Sequence, residues 1–333
     1  MRSFNMKNIL AVVLLGLGFN AFGMTKINGA GATFPYPIYS KWFSEYKSKN
    51  AEIEINYQSI GSGGGIRQVL KQTVDFGATD APMNAKDKSE APYKISHIPT
   101  VLGAVVPVIN VKAVNGLKLD GETLAQIFMG KITKWNHPTL LKLNPKAKLP
   151  NEDILVVRRA DGSGTTSVFA DYLSTVSKDW ESTVGRGKSL QWPVGIGSKG
   201  NEGVTATVKQ TEGAIGYVEL SYAITNKLSM VAMKNKAGQF VSPTVESISK
   251  AAEGANDPTA EYTASIVDSS AKGAFPIAAF TYLLLPEKND DMNNKEIRKF
   301  IKWALTDGQK FAKDLYYSPL PKKVAKQVLE KLK

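Results

Sequence analysis

Apolar and polar positions along the chain divide it into alternating strands and helices. Residues 26–28 read as a short strand, after which Ile38, Trp42, Phe43 and Tyr46 fall on one helical face, with Pro35 and Pro37 at the helix entrance. Ile53, Ile55 and Tyr57 alternate with polar neighbours as in a half-buried strand, and residues 66–70 read as a helix. A further short strand ends at Asp80. Residues 101–110 form a long apolar strand, matched late in the chain by residues 275–285. Between these two runs lie a helix capped by Asp120, a strand over 154–157 and a helix over 168–173. A helix over 203–210 and strands over 213–218 and 230–233 follow, whereas 185–200, rich in Gly and Ser, reads as loop. Ile297, Ile301, Trp303, Ala304 and Phe311 supply closing helices. A last helix sets Val324, Val328 and Leu332 against a lysine-rich wet face.

One local design recurs three times in this pattern. A strand runs into a turn of Gly, Ser and Thr, and the turn opens a helix, at 29–37, 59–70 and 158–173. Such a corner gathers unpaired backbone N–H groups, small residues let an anion approach them, and the helix dipole favours its charge. Arg159 enters the third corner with a planar donor fork suited to an oxyanion. Asp161 and Ser163 also suit the plainer task of capping a first turn, and Asp80 that of capping the turn before Pro82. The Gly-Lys-Ser/Thr ending of a P-loop is missing, so nucleotide hydrolysis is not expected. If Asp80 faces the anion, its carboxylate accepts hydrogen bonds only. It then admits a guest that still carries a proton, such as phosphate, and repels proton-free sulfate.

Length and composition narrow the setting. The chain has 333 residues, natural for two domains, with 43% hydrophobic and 22% charged residues, as in soluble globular proteins. The two long apolar strands read as crossovers, which places 24–105 and 276–333 in one lobe and 106–275 in the other. Residues 1–23 have the pattern of a secretory signal peptide: Arg2 and Lys7, an apolar centre over 9–19, then Ala21-Phe22-Gly23. There is no cysteine, which excludes disulfides, a thiolate nucleophile and a Cys-linked lipid anchor, and fits the periplasm. The net charge of +12 is spread over scattered lysines, without a nucleic-acid motif. Only His97 and His137 are present, both beside Pro in loop-like settings, and no zinc spacing or base for Ser163 is evident. A binding protein without metal or cofactor is therefore expected rather than an enzyme. The rivals are a secreted phosphate-ester hydrolase and an extracellular anion scavenger or adhesin on the same scaffold.

Four stretches together resemble a known family. Residues 29–35 (Gly-Ala-Gly-Ala-Thr-Phe-Pro), 60–65 (Ile-Gly-Ser-Gly-Gly-Gly), 75–82 (Asp-Phe-Gly-Ala-Thr-Asp-Ala-Pro) and 158–165 (Arg-Arg-Ala-Asp-Gly-Ser-Gly-Thr) are similar to the PstS family. These are the phosphate-binding proteins of the phosphate-specific ABC importer. The resemblance implies an α/β, two-lobed periplasmic binding protein type II fold with two crossover strands and the ligand in the inter-lobe cleft. It implies phosphate contacts from Ala32, Thr33, Phe34, Ser62, Asp80, Arg159, Ser163, Gly164 and Thr165, with Asp161 pairing Arg159. The implied partners are inorganic phosphate and the importer's inner-membrane permease, and a monomer is expected. Gly63 departs from the pattern, since a Ser is common after the matched Ser62. The tail after Leu329 is abbreviated.

Overall fold

The computed structural model describes residues 24–112, 114, 116–288 and 291–332. The segment read as a signal peptide, 1–23, lies outside the described residues. The chain opens with three strand-to-helix units. β1 (Thr25–Gly31) leads into α1 (Tyr36–Lys49), β2 (Ile53–Ser59) into α2 (Ser62–Leu70), and β3 (Phe76–Thr79) through the Asp80 turn into α3 (Ala85–Ser89). Proline in its first turn starts α1, which buries Ile38, Tyr39, Trp42, Phe43 and Tyr46. β1 pairs in parallel with both β2 and β3, so all three strands end at one edge of the sheet. That shared direction collects their C-terminal corners in one place.

β4 (Ile95–Asn110) carries the chain into the second lobe. There follow β5 (Lys118–Leu119), α4 (Gly121–Phe128), α5 (Pro138–Leu143), β6 (Leu155–Arg159), α6 (Gly164–Val176) and α7 (Lys178–Thr183). Next come β7 (Ile196–Ser198), α8 (Gly200–Gln210), β8 (Ala214–Glu219), α9 (Leu220–Thr225), β9 (Ser229–Met230), β10 (Ala232–Lys234), β11 (Phe240–Val241) and α10 (Val245–Ala251). β12 (Ala278–Pro286) returns to the first lobe, which α11 (Met292–Leu305), two 3-10 turns and α12 (Lys322–Lys331) complete. One sheet runs through both lobes in the order β2-β1-β3-β12-β4-β8-β6-β7, with β9 also on β4. A small sheet, β11-β10-β5, stands apart.

The joint between the lobes lies within β4. Ala104 still faces Ala278 of β12, whereas the next residue, Val105, faces Glu219 of β8. Residues 96–109 of β4 are all buried, which explains why 101–110 reads as a continuous apolar run rather than an alternating one. Pro99 lacks a ladder donor, and the register of β12 shifts beside it, between Thr281 and Tyr282. The core under each lobe is aromatic. Trp42, Trp135 and Trp180 are fully buried, and each indole N–H finds a carbonyl: Gly308, Gly213 and Gly185 respectively, at 2.7–3.0 Å.

Several elements differ from the sequence pattern. The stretch read as loop over 185–200 contains β7, because Gly and Ser pair by backbone alone with β6 and composition carries no sign of it. The helix read from 203 begins at Gly200, the strand read from 275 begins at Ala278, and 230–233 splits into β9 and β10. His97 is not in a loop: it is fully buried within β4.

Candidate functional site

Three corners meet where the lobes face each other, and each presents backbone N–H groups without acceptors. Between β1 and α1, the Ala32 N–H donates to Ala78 (3.0 Å) and Tyr36 N–H to Thr33 (3.2 Å), while the N–H groups of Thr33 and Phe34 meet no acceptor among the described residues. Tyrosine hydroxyls hold this segment from outside: Tyr222 donates to the Thr33 carbonyl at 2.7 Å and Tyr317 to the Phe34 carbonyl at 2.6 Å. At the second corner Gly61 takes φ +85°, which favours glycine, and the Ser62 N–H at the start of α2 is likewise free of acceptors among the described residues. At the third, Ser163 caps α6. Its Oγ accepts from Thr166 N–H (3.0 Å) and its carbonyl from Ser167 N–H (3.0 Å), leaving the Gly164 and Thr165 N–H groups. Five N–H groups at three neighbouring corners thus lack an acceptor among the described residues, and a buried unpaired amide is costly.

Arg159 ends β6 and is 3% exposed. Its Nε and Nη2 donate to the two Asp161 carboxylate oxygens at 2.7 and 2.5 Å, and Nη1 lies 3.3 Å from Thr165 Oγ1. The bidentate pair fixes the guanidinium edge and occupies only part of its donor set. Burial by itself would raise the Asp161 pKa. Donation and charge from Arg159, with the Gly200 N–H at 3.1 Å, hold it below the ordinary aspartate value. Beneath, Tyr217 stacks on Phe169 with ring centres 4.2 Å apart, and its hydroxyl accepts the Arg159 N–H and bonds Thr166 Oγ1.

Asp80 stands opposite on the first lobe, 3% exposed. Thr281 Oγ1 donates to its Oδ1 at 2.9 Å, Ser62 Oγ lies 3.4 Å from Oδ2, and the Asp80 N–H donates to Ser62 Oγ at 3.2 Å. Thr281 sits at the register shift of β12, which aims its hydroxyl here. Burial pushes the Asp80 carboxyl up to about 7, against the Thr281 hydrogen bond and the Arg159 charge, which lower it.

The structure therefore brings together all ten residues singled out from the sequence, in different roles. Ala32 has both backbone groups occupied, its carbonyl accepting from Tyr57, and shapes the corner without offering a free N–H. Ser163 accepts the cap bond yet retains a hydroxyl proton to donate. Gly63, the departure from the family pattern, lies on the seam. Its N–H donates to the Gly162 carbonyl across the lobes at 2.8 Å, and an added Cβ would stand 3.2 Å from Gly162.

Sequence reasoning missed Asn201. Its side-chain amide donates to Thr33 Oγ1 (2.7 Å) and Thr165 Oγ1 (3.1 Å), one from each lobe, and its Oδ1 accepts the Glu219 N–H. The signal was a fourth strand-to-helix corner, Ser198-Lys199-Gly200-Asn201, hidden inside the Gly-rich stretch. Neither histidine reaches the site. His97 Nε2 accepts the Met83 N–H at 3.0 Å and braces the turn after Asp80, while His137 caps α5. Among the described residues no cluster of three or more His, Cys, Asp or Glu side chains suits a metal.

The chain matches the family model of the PBP superfamily domain over residues 20–308. It is 45% identical over 307 residues to the phosphate-binding protein PstS of Xylella fastidiosa, covering 91% of this chain and 84% of that protein. With PstS of Haemophilus influenzae it shares 44% over 320 residues, 95% of each chain. Its fold is similar to that of a solved high-affinity periplasmic phosphate-binding protein bound with phosphate, at TM-score 0.72 and 20% identity, over 91% of this chain and 93% of that one. A phosphate-bound substrate-binding protein of Clostridium perfringens, described as a phosphate ABC transporter component, gives TM-score 0.68 and 19% identity, over 89% and 100%.

Proposed function

The chain belongs to the PstS family of phosphate-binding proteins, and on that premise we propose that it captures inorganic phosphate between its lobes and delivers it to an ABC-type importer. The observation that carries this reading is the pairing of five acceptor-free N–H groups and the Arg159 fork with one buried carboxyl, Asp80. A tetrahedral oxyanion satisfies the donors, and one of its oxygens has to share a proton with Asp80. Phosphate brings that proton and sulfate does not.

The ligand contacts both lobes, so it stabilises the closed arrangement over any wider one. The hinge falls where the chain crosses between lobes, near 105–106 and 275–276. The closed protein then docks on an inner-membrane permease as a monomer. Residues 1–23 direct export to the periplasm and are removed. Binding without turnover is the reading: Ser163 Oγ accepts the cap bond from Thr166 N–H, and among the described residues it is hydrogen-bonded to no side-chain base.

Calorimetric titration of ligand-stripped protein tests the reading. Inorganic phosphate should bind at one site per chain, sulfate at least tenfold more weakly, and a phosphate monoester should neither bind tightly nor be hydrolysed. Equal affinity for sulfate and phosphate, or turnover of the ester, would replace the proposal with one of its rivals.

A further inference from the structure

Lys188 lies in the second lobe, in the turn before β7, and its two ends do different things. Its backbone carbonyl accepts the Ser163 N–H at 2.8 Å, which fixes the residue to the mouth of α6. Its side chain leaves that anchor, crosses the seam and donates from Nζ to the Pro82 carbonyl of the first lobe at 3.1 Å. Pro82 stands two residues after Asp80. The next peptide is pinned from the far side, where Met83 N–H donates to the buried His97. The Asp80 turn is therefore braced by its own lobe behind and held by one ammonium in front. Lys188 is half-buried, and Asp87 and Asp80 are the carboxylates that oppose the loss of its charge on burial.

We infer that Lys188 is a closure latch: a positioning residue that joins the Asp80 turn to the α6 cradle once the lobes meet, and so lengthens the stay of the captured anion. The bond exists only with the lobes together, whereas an anion arrives while they are apart. Its contribution therefore falls on dissociation and not on association. A charged donor on a carbonyl at a partly buried seam is stronger than the same bond in water. The inference rests on the anion-capture reading for its ligand, while its geometry stands on the seam alone.

The test compares wild type, Lys188→Met and Lys188→Arg in stopped-flow fluorescence with inorganic phosphate. Lys188→Met keeps the backbone bond to Ser163 and removes only the latch. Its dissociation rate should rise about tenfold with association unchanged within a factor of about two, and Lys188→Arg should restore most of the difference. Because the chain has no cysteine, Lys71→Cys with Lys178→Cys places one spin label on each lobe for a distance measurement. With Lys188→Met, that distance distribution should shift toward wider separations at a given phosphate concentration. An unchanged dissociation rate with an unchanged distribution overturns the latch, as does Lys188→Arg behaving like Lys188→Met. If wild type fails to bind phosphate, the capture reading falls, and the spin-label distributions of the free proteins still decide the latch.

Discussion

Asp161 and Asp80 are two aspartates at one seam, and their surroundings shift their pKa values in opposite directions. Asp161 receives both arms of Arg159 and a backbone N–H, and its pKa lies below the ordinary value. Asp80, facing Thr281 and Ser62 without a guanidinium of its own, is pushed up to about 7. Burial acts on both, more completely on Asp80, and only Asp161 has a guanidinium bonded to it. The second lobe thus presents the Arg159 guanidinium with its charge offset by Asp161, while the first presents, beside its own free N–H groups, a carboxyl whose pKa is raised. The guanidinium belongs to one lobe and the protonatable carboxyl to the other, while both lobes contribute free N–H groups.

The largest effect should come from the guanidinium side. Arg159→Ala leaves Asp161 without its partner and removes the donor fork, so phosphate affinity should fall by about 2–5 kcal/mol. A titration that returns the wild-type affinity would take Arg159 out of the site and dissolve the contrast. Next, Gly164→Ala should obstruct closure without unfolding either lobe. The added Cβ would come 2.3 Å from Ser62 Oγ and 2.5 Å from Asp80 Oδ2, both on the opposite lobe. A loss of ~1–3 kcal/mol in phosphate binding is expected, with the unfolding temperature of the unliganded protein not reduced. Equal losses in both measurements would mean that the clash acts within a lobe.

On the carboxyl side, Asp80→Asn should reduce the preference for phosphate over sulfate by about tenfold or more, near 1.4 kcal/mol. Competition titration reads this directly, and an unchanged preference would remove Asp80 from its role. The pH dependence sharpens the same point. Below pH 7 the Asp80 carboxyl gains a proton it can donate, so the wild-type preference over sulfate should narrow between pH 8 and pH 5. A flat profile would place the proton elsewhere.

The last effect concerns stability rather than binding. The folded pKa of Asp80 lies above that of the unfolded chain, so the folded state binds the proton more tightly. Its contribution is most favourable below pH 4 and declines as the pH rises toward 7. Asp80→Asn should then stabilise the unliganded protein more at pH 8 than at pH 4, by up to about 4 kcal/mol, roughly three pKa units at about 1.4 kcal/mol each. Identical differences at both pH values would show that Asp80 is not titrating in this window.

Much of this was legible in the chain. Arg159, Asp161 and Ser163 lie within five residues of one another, so the fork, its partner and the cap follow from one turn, and the helix of Ile38, Trp42, Phe43 and Tyr46 follows from its period. His97 was misread because the Ile98-Pro99 pair suggests a loop. Only the register shift of β12 opposite shows how a central strand accommodates that proline.

What the sequence determined by itself was the set of local corners: strand, small-residue turn, free amides, helix. Their chemistry depends on neighbours a few residues away, and short-range backbone geometry is enough to specify it. The tertiary structure alone decided which corners meet at the seam, that Asn201 spans Thr33 and Thr165, that Thr281 reaches Asp80 from 201 residues away, and that Lys188 meets Pro82 across the seam. The same holds for the raised Asp80 carboxyl, because the burial that raises it is assembled from elements far apart in sequence, and no single stretch of chain contains them.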